Sequence, residues 1–308
     1  MLVRFSLAVG VAVAAALAAP GVAARPECFG AAARDPAHPC ENASLRFSVV
    51  PKPSVAQIEP SAPCTPLPQL GPPDVCAFGA GRKQIALVGD SHAVHWRATL
   101  AVIARTRHWH GLTLYRSRCP FTRALTDLER PERGRCRRWG RNVIRWFEAH
   151  PEVRTAFISQ HSRAGVIVRH EGRDEFAAMV AGYAAAWKAL PRSVEHIVVI
   201  RDPPYVENGT LACVRRALRR HAPPGLACAL LRATALERDP ALAAVRRLDS
   251  PRYQAIDLTQ FMCDAELCYP VVGGALVKKD RGHLTRVFAE TLAPYFARKL
   301  NRLMATWR

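Results

Sequence analysis

Ile85-Ala86-Leu87-Val88-Gly89-Asp90-Ser91-His92 is the stretch on which the reading of this chain turns. Four apolar residues run directly into Gly-Asp-Ser. An apolar run without polar alternation, closed by a turn signal, is the pattern of a strand buried on both faces of a parallel sheet. From Ala93 through Leu100 and Ile103 the spacing becomes helical. Ser91 is therefore expected on a strand-to-helix turn, at the carboxyl edge where open α/β sheets bind their ligands.

The alternation continues outward from there. Apolar runs at 111–115, 154–159, 196–200 and 253–258 read as four further strands. Helical spacing covers 136–150 and 174–190, and a last helix is expected over 284–304, kinked at Pro294. In the 136–150 segment Trp139, Val143, Trp146 and Phe147 share one face, while Arg137, Arg138, Arg141 and Arg145 point outward. That aromatic stripe reads as core rather than as a binding platform. Residues 120–135 read as a loop, and 263–277 as a Cys-closed loop with a short hairpin. Strands alternating with helices predict an α/β fold with a mostly parallel, five-stranded central sheet covered on both faces.

Three segments are expected. Residues 1–24 have a basic n-region at Arg4, an apolar run from Phe5 to Ala19 and a small-residue cleavage site at Val22-Ala23-Ala24, which together read as a signal peptide. The apolar run is short for the ~20 residues of a membrane span; a retained anchor is the alternative. Residues 25–80 form an irregular arm. Recurrent prolines from Pro51 to Pro73 exclude long helices there, and a short extended piece is expected at 45–50. Residues 81–308 form the main domain, around which the arm wraps.

Ten cysteines, an even number, fit disulfides in an oxidising, extracytoplasmic compartment. They fall into five close pairs, Cys28–Cys40, Cys64–Cys76, Cys119–Cys136, Cys213–Cys228 and Cys263–Cys268. Nearest-neighbour pairing is the simplest connectivity, although order along the chain does not determine it. With no Cys-x-x-Cys, and no His at zinc-finger spacing from Cys263 and Cys268, neither a metal site nor a cofactor is expected. The formal net charge of +19 favours anionic partners such as phosphorylated glycans or lipid headgroups. The same Arg- and Ala-rich composition also follows from GC-rich coding. Nucleic acid is not expected as the partner of an exported chain, and a monomer is expected.

A serine hydroxyl needs a base and an oxyanion site to act as a nucleophile. Ser91, opening a helix, brings its own backbone N–H and the favourable end of the helix dipole. Asp280-Arg281-Gly282-His283, near the other end of the chain, offers a base in His283 and an acid in Asp280 to orient it. Ser, Asp, His is one of several chain orders that build a catalytic triad. His92 follows the nucleophile and is a candidate cleft residue. Arg201, with Asp202, ends a strand at the same edge and is a candidate substrate contact, as are Arg116 and Arg118.

Gly89-Asp90-Ser91-His92 and Asp280-Arg281-Gly282-His283-Leu284-Thr285 resemble the first and last blocks of the SGNH (GDSL-like) hydrolases. Together with Cys119-Pro120 and the Cys-rich loop before the last block, they resemble more narrowly the SGNH domains associated with membrane O-acyltransferases of the acyltransferase-three type. The resemblance spans about residues 80–303. It implies a three-layer α/β/α sandwich, SGNH/flavodoxin-like, and a Ser-His-Asp site. The activity implied is serine-esterase or O-acyltransferase action on acyl esters, acetyl foremost, of cell-envelope carbohydrate. A membrane acyltransferase is the implied partner. The family's oxyanion glycine should follow the second strand, where this chain has Tyr115-Arg116-Ser117-Arg118, and its asparagine the third, where this chain has Ser159-Gln160-His161. Ser117 or a local backbone N–H, and Gln160 or His161, are the candidate substitutes. These departures motivate a second reading, a non-catalytic glycan- or anion-binding module on a degenerate SGNH scaffold.

Overall fold

The computed structural model describes residues 25–168 and 174–307, so the expected signal peptide at 1–24 lies outside the described residues. Eleven strands are described: β1 (Thr65–Pro66), β2 (Val75–Phe78), β3 (Lys83–Gly89), β4 (Trp109–Tyr115), β5 (Thr155–Ser159), β6 (His196–Ile200), β7 (Leu230–Leu231), β8 (Tyr253–Ile256), β9 (Leu267–Cys268), β10 (Val271–Val272) and β11 (Ala275–Leu276). The helices are α1 (Pro53–Gln57), α2 (Ser91–Arg107), α3 (Arg130–Ala149), α4 (Glu175–Lys188), α5 (Thr210–Arg219), α6 (Pro224–Ala227), α7 (Arg232–Ala235), α8 (Pro240–Leu248), α9 (Arg286–Thr291) and α10 (Ala293–Met304).

The central sheet runs β1-β2-β4-β3-β5-β6-β8. β3, β4, β5, β6 and β8 are parallel, and β1 and β2 add an antiparallel edge. The sheet thus has seven strands where the sequence predicts five. The two extra strands come from the arm. Their four- and two-residue lengths, broken by Pro66, Pro72 and Pro73, carry too little periodicity to read as strands.

Period-two alternation along β3 divides its side chains between two cores. Ile85 and Leu87 face α2, α9 and α10, where Trp96, Leu100, Phe288 and Phe296 are buried. Ala86 and Val88 face α3, α4 and α8, against Val143, Trp146, Phe147, Tyr183 and Trp187. The aromatic stripe of α3 is therefore core. Each large apolar side chain buried in these two layers contributes ~1.5–3 kcal/mol. The result is the three-layer α/β/α sandwich.

Local departures from the sequence reading have local causes. α3 begins at Arg130, inside the stretch expected to be loop, because Pro131 occupies its first turn, where no N–H is needed. Of the piece expected to be extended at 45–50, Leu45 ends a 3-10 turn, Ala43–Leu45, capped by Asn42, whose side chain accepts from Ser44 N–H, residues 46–47 continue as a turn, and Val50 alone pairs, in a parallel bridge to Ala275. The last helix divides at Leu292 into α9 and α10, Pro294 lying in the first turn of the second. Gly273-Gly274, both at positive φ, turn the β10–β11 hairpin.

All five nearest-neighbour disulfides are closed, Cys28–Cys40, Cys64–Cys76, Cys119–Cys136, Cys213–Cys228 and Cys263–Cys268. The arm is held to the main body by Arg298 on Asp35, by Ala31 N–H on Thr291 Oγ1, and by Arg286 N–H on the Glu59 carboxylate. Among the described residues, no helix is long and apolar enough to cross a membrane.

Candidate active site

The turn from β3 into α2 is fixed by Gly89 and Asp90. Gly89 has φ +151°, and a Cβ there would fall 1.8 Å from the Ser159 carbonyl oxygen of neighbouring β5. Only glycine permits that approach. Asp90 caps α2: its carboxylate accepts from His92 N–H at 2.8 Å and, across the sheet, from His161 N–H at 3.0 Å. Burial raises the Asp90 pKa, against the pull of the nearby His92 charge and the two backbone N–H groups. Ser91 therefore opens a seventeen-residue helix, its N–H without an acceptor in the helix, as at every helix start.

His283, the candidate base, arrives on the loop after the β10–β11 hairpin. Lys279 N–H donates to His283 O, and Lys278 Nζ donates to Gly282 O at 2.5 Å, drawing residues 279–283 into a tight excursion. Within it Asp280 Oδ1 accepts from Gly282 N–H at 2.9 Å and His283 N–H at 2.7 Å. Asp280 Oδ2 meets His283 Nδ1 at 2.8 Å, and His283 Nε2 stands 2.9 Å from Ser91 Oγ. Burial acts to raise the Asp280 pKa, but the hydrogen bonds and charge of His283 outweigh it and hold the carboxyl well below the usual range. The arrangement can take a proton from Ser91 through His283 while Asp280 stays anionic. Residues 192 positions apart thus meet in one hydrogen-bonded line.

These groups lie in a cleft of about 580 Å³ that also admits His92, His161, Arg163 and Tyr205. Tyr205 is flanked by the guanidinium groups of Arg163 at 4.2 Å and Arg281 at 4.9 Å. A larger cavity of about 710 Å³ beside Asp35 and Asp264 contains no nucleophile–base pair; chemistry rather than size marks the smaller one.

The remaining sequence candidates divide. His92 and His161 line the cleft, and so does Arg118. Ser117 does not: it is exposed in the turn after β4, outside the cleft lining. Gln160 is buried, and its Oε1 accepts from Phe121 N–H at 2.5 Å, which ties down the loop before α3 instead of reaching substrate. Arg201 pairs with Asp257 at 2.7 Å, and Arg116 with Glu132 at 3.0 Å, so both are ion pairs rather than cleft contacts.

Asp202, named in the sequence only as the neighbour of Arg201, has a larger place. Its Oδ1 lies 2.5 Å from His92 Nδ1, and its Oδ2 accepts from Ser162 N–H and Oγ–H. Burial raises the Asp202 pKa, but the charge and hydrogen bond of His92 prevail and lower it. Burial likewise opposes protonation of His92, yet Asp202 raises its pKa above the ordinary 6.5. Burial, then the His92 charge, lowers His161 to about 4. The only sequence signal for Asp202 is its position at a strand's carboxyl end before Pro203-Pro204.

His92, His161 and Asp202 present three potential ligand atoms within 4.8 Å of one another. Both Asp202 oxygens already accept hydrogen bonds there, so a cation would have to displace them.

The fold and this site define an SGNH domain, and comparison with known proteins agrees. The family model described as "SGNH domain (fused to AT3 domains)" matches residues 63–298, and the chain belongs to that family. Among solved structures, the Salmonella ser. Paratyphi A lipopolysaccharide acetyltransferase periplasmic domain superposes with a TM-score of 0.56 at 15% identity, covering 73% of this chain and 85% of that one. No curated protein matches.

Proposed function

We propose that this protein is an exported serine esterase or O-acyltransferase acting on acyl esters, acetyl foremost, of cell-envelope carbohydrate. The observation that carries the reading is the Asp280–His283–Ser91 line, with 2.8 and 2.9 Å links. Ser91 Oγ attacks the ester carbonyl as His283 Nε2 takes its proton. His283 returns the proton to the departing alkoxide, and the acyl-serine passes its group to water or a sugar hydroxyl. Asp280 keeps the imidazole in the tautomer whose Nε2 accepts. Family membership supports acyl chemistry, and the name of the structural neighbour supports transfer to an envelope glycan, with a membrane acyltransferase as donor or partner. Five disulfides fit an oxidising compartment.

A fluorophosphonate probe tests this reading. Labelling is expected on Ser91, lost in Ser91→Ala and in His283→Ala. Folded protein that takes no label and turns over no short-chain aryl ester would instead support a binding module on the same scaffold.

A further inference from the structure

We propose that His92, held by Asp202, forms a second histidine–carboxylate pair in the catalytic centre, and that its Nε2–H donates to the oxyanion formed on the substrate carbonyl. The inference rests on the serine-enzyme reading above. It supplies a donor where neither Ser117, outside the cleft, nor Gln160, tied to Phe121 N–H, provides one.

Four observations converge on His92. The pair is buried, with side-chain exposures of 5% for His92 and 3% for Asp202. Desolvating two ions is costly, and an apolar side chain would fill the same space without that cost. Asp202 is itself anchored, by Ser162 through Oδ2 and by its own N–H on Asp239 Oδ2. Only one side of the imidazole is used: Nδ1 meets Asp202, Nε2 has no hydrogen-bond partner among the described residues, and His92 lines the cleft. There Gly282 makes room for it, since a Cβ on Gly282 would come within 2.9 Å of His92 Nε2. Finally, His92 follows Ser91 in the chain, and its ring centroid is 4.8 Å from that of His283.

The charge state follows from the partners. Asp202 is an anion, so Nδ1 carries the proton between them, and Nε2 bears a hydrogen only when the ring is the imidazolium. The groups facing the ring are Asp202 and Asp90, which favour that cation, and Lys278, His95, His161 and His283. Burial keeps His95 and His161 neutral near neutral pH. In the reaction the Ser91 Oγ–carbon bond forms, the hydroxyl proton goes to His283, and the carbonyl π pair moves to oxygen. His92 Nε2–H, with the Ser91 backbone N–H, donates a hydrogen bond to that oxygen and keeps its proton. Collapse restores the carbonyl and breaks the bond to the alkoxide, which His283 protonates.

The test is the pH profile of kcat on an aryl acetate. Because Asp202 raises the His92 pKa, the donor is present below that pKa and lost as pH rises through it, so wild type shows an alkaline fall. His92→Leu should lower kcat by ~10²–10³ with KM changed no more than ~3-fold, the loss of one oxyanion donor. His92→Gln, whose amide N–H does not titrate, should recover part of that loss and abolish the alkaline fall. Asp202→Asn should move the fall to lower pH. Nitrogen-15 resonances of Ser91→Ala should show His92 protonated on both nitrogens at neutral pH, a readout that survives even if His92→Leu fails to fold. A neutral His92, full kcat in folded His92→Leu, or an unmoved alkaline limb in His92→Gln and Asp202→Asn overturns the proposal. So does a loss of kcat on chelation that zinc restores, which would assign His92, His161 and Asp202 to a metal. Wild type with no Ser91-dependent turnover overturns the serine-enzyme reading as well; Ser91-dependent turnover indifferent to His92 overturns this inference alone.

Discussion

Replacing Asp280 by Asn isolates what its charge does. Asp280 Oδ1 accepts from the Gly282 and His283 backbone N–H groups, and Oδ2 lies 2.8 Å from His283 Nδ1. In Asp280→Asn the amide oxygen can keep both backbone bonds, so the loop holds its shape. The amide NH₂ must then take the Oδ2 position, facing Nδ1. Oδ1 lies 3.0 Å from Nδ1 but already accepts two backbone bonds, so the amide N–H at the shorter contact favours the tautomer with a bare Nδ1 and a hydrogen on Nε2. That hydrogen points at Ser91 Oγ, 2.9 Å away, where a base is required. Loss of general-base catalysis is worth ~10²–10⁴ in rate, and in a serine protease with a Ser-His-Asp triad the same exchange costs ~10⁴. We predict a fall in kcat of ~10³–10⁴ on an aryl acetate with KM changed no more than ~3-fold. Circular dichroism should give a Tm within ~5 °C of wild type, about what 1–2 kcal/mol shifts in a domain of this size. A folded Asp280→Asn that keeps a third or more of wild-type kcat refutes the assigned role of Asp280.

Three further outcomes follow from the fold. Gly89→Ala forces a Cβ to within 1.8 Å of the Ser159 carbonyl at a backbone angle disfavoured for other residues, so a loss of about 3 kcal/mol or more is expected; a denaturant midpoint equal to wild type contradicts it. Reducing the protein should lower Tm markedly, since each disulfide contributes ~2–4 kcal/mol, and a Tm indifferent to reductant would speak against the pairing. Asp35, held at about 2 chiefly by its hydrogen bond to Arg298, binds the arm to α10. Because its folded pKa is depressed, this contribution is present above the ordinary 3.8 and is lost as pH falls toward 2. Limited proteolysis should release the arm more readily across that interval, and Asp35→Asn should be cut readily at every pH; equal rates for both proteins would exclude the clamp.

How far the sequence is legible differs from element to element. β3 and the turn at Gly89-Asp90-Ser91 are readable because a parallel strand buried on both faces shows as an unbroken apolar run. α3 and α4 are readable from their aromatic faces, and the disulfides from short spacings. β1 and β2 are not, because strands of two and four residues among prolines owe their form to pairing with β4, not to local pattern. In the site, Ser91, Asp280 and His283 stand in two recognisable blocks. Ser117, Gln160 and Arg201 mislead for one reason: position after a strand places a residue near the sheet edge but does not say which way its side chain turns. Gln160 turns to Phe121 N–H and Arg201 to Asp257. Asp202 is the converse case, since its contact with His92 spans 110 residues and leaves no local trace.

If Ser91 carries the acyl group, the group can be trapped there. Wild-type protein would be mixed with excess aryl acetate, quenched in acid within the burst, digested and mapped by tandem mass spectrometry. One acetyl group is expected on the peptide containing Ser91, at that residue, and none in His283→Ala. Steady turnover with Ser91 unmodified at every quench time, together with a Ser91→Ala variant that remains active, would contradict it.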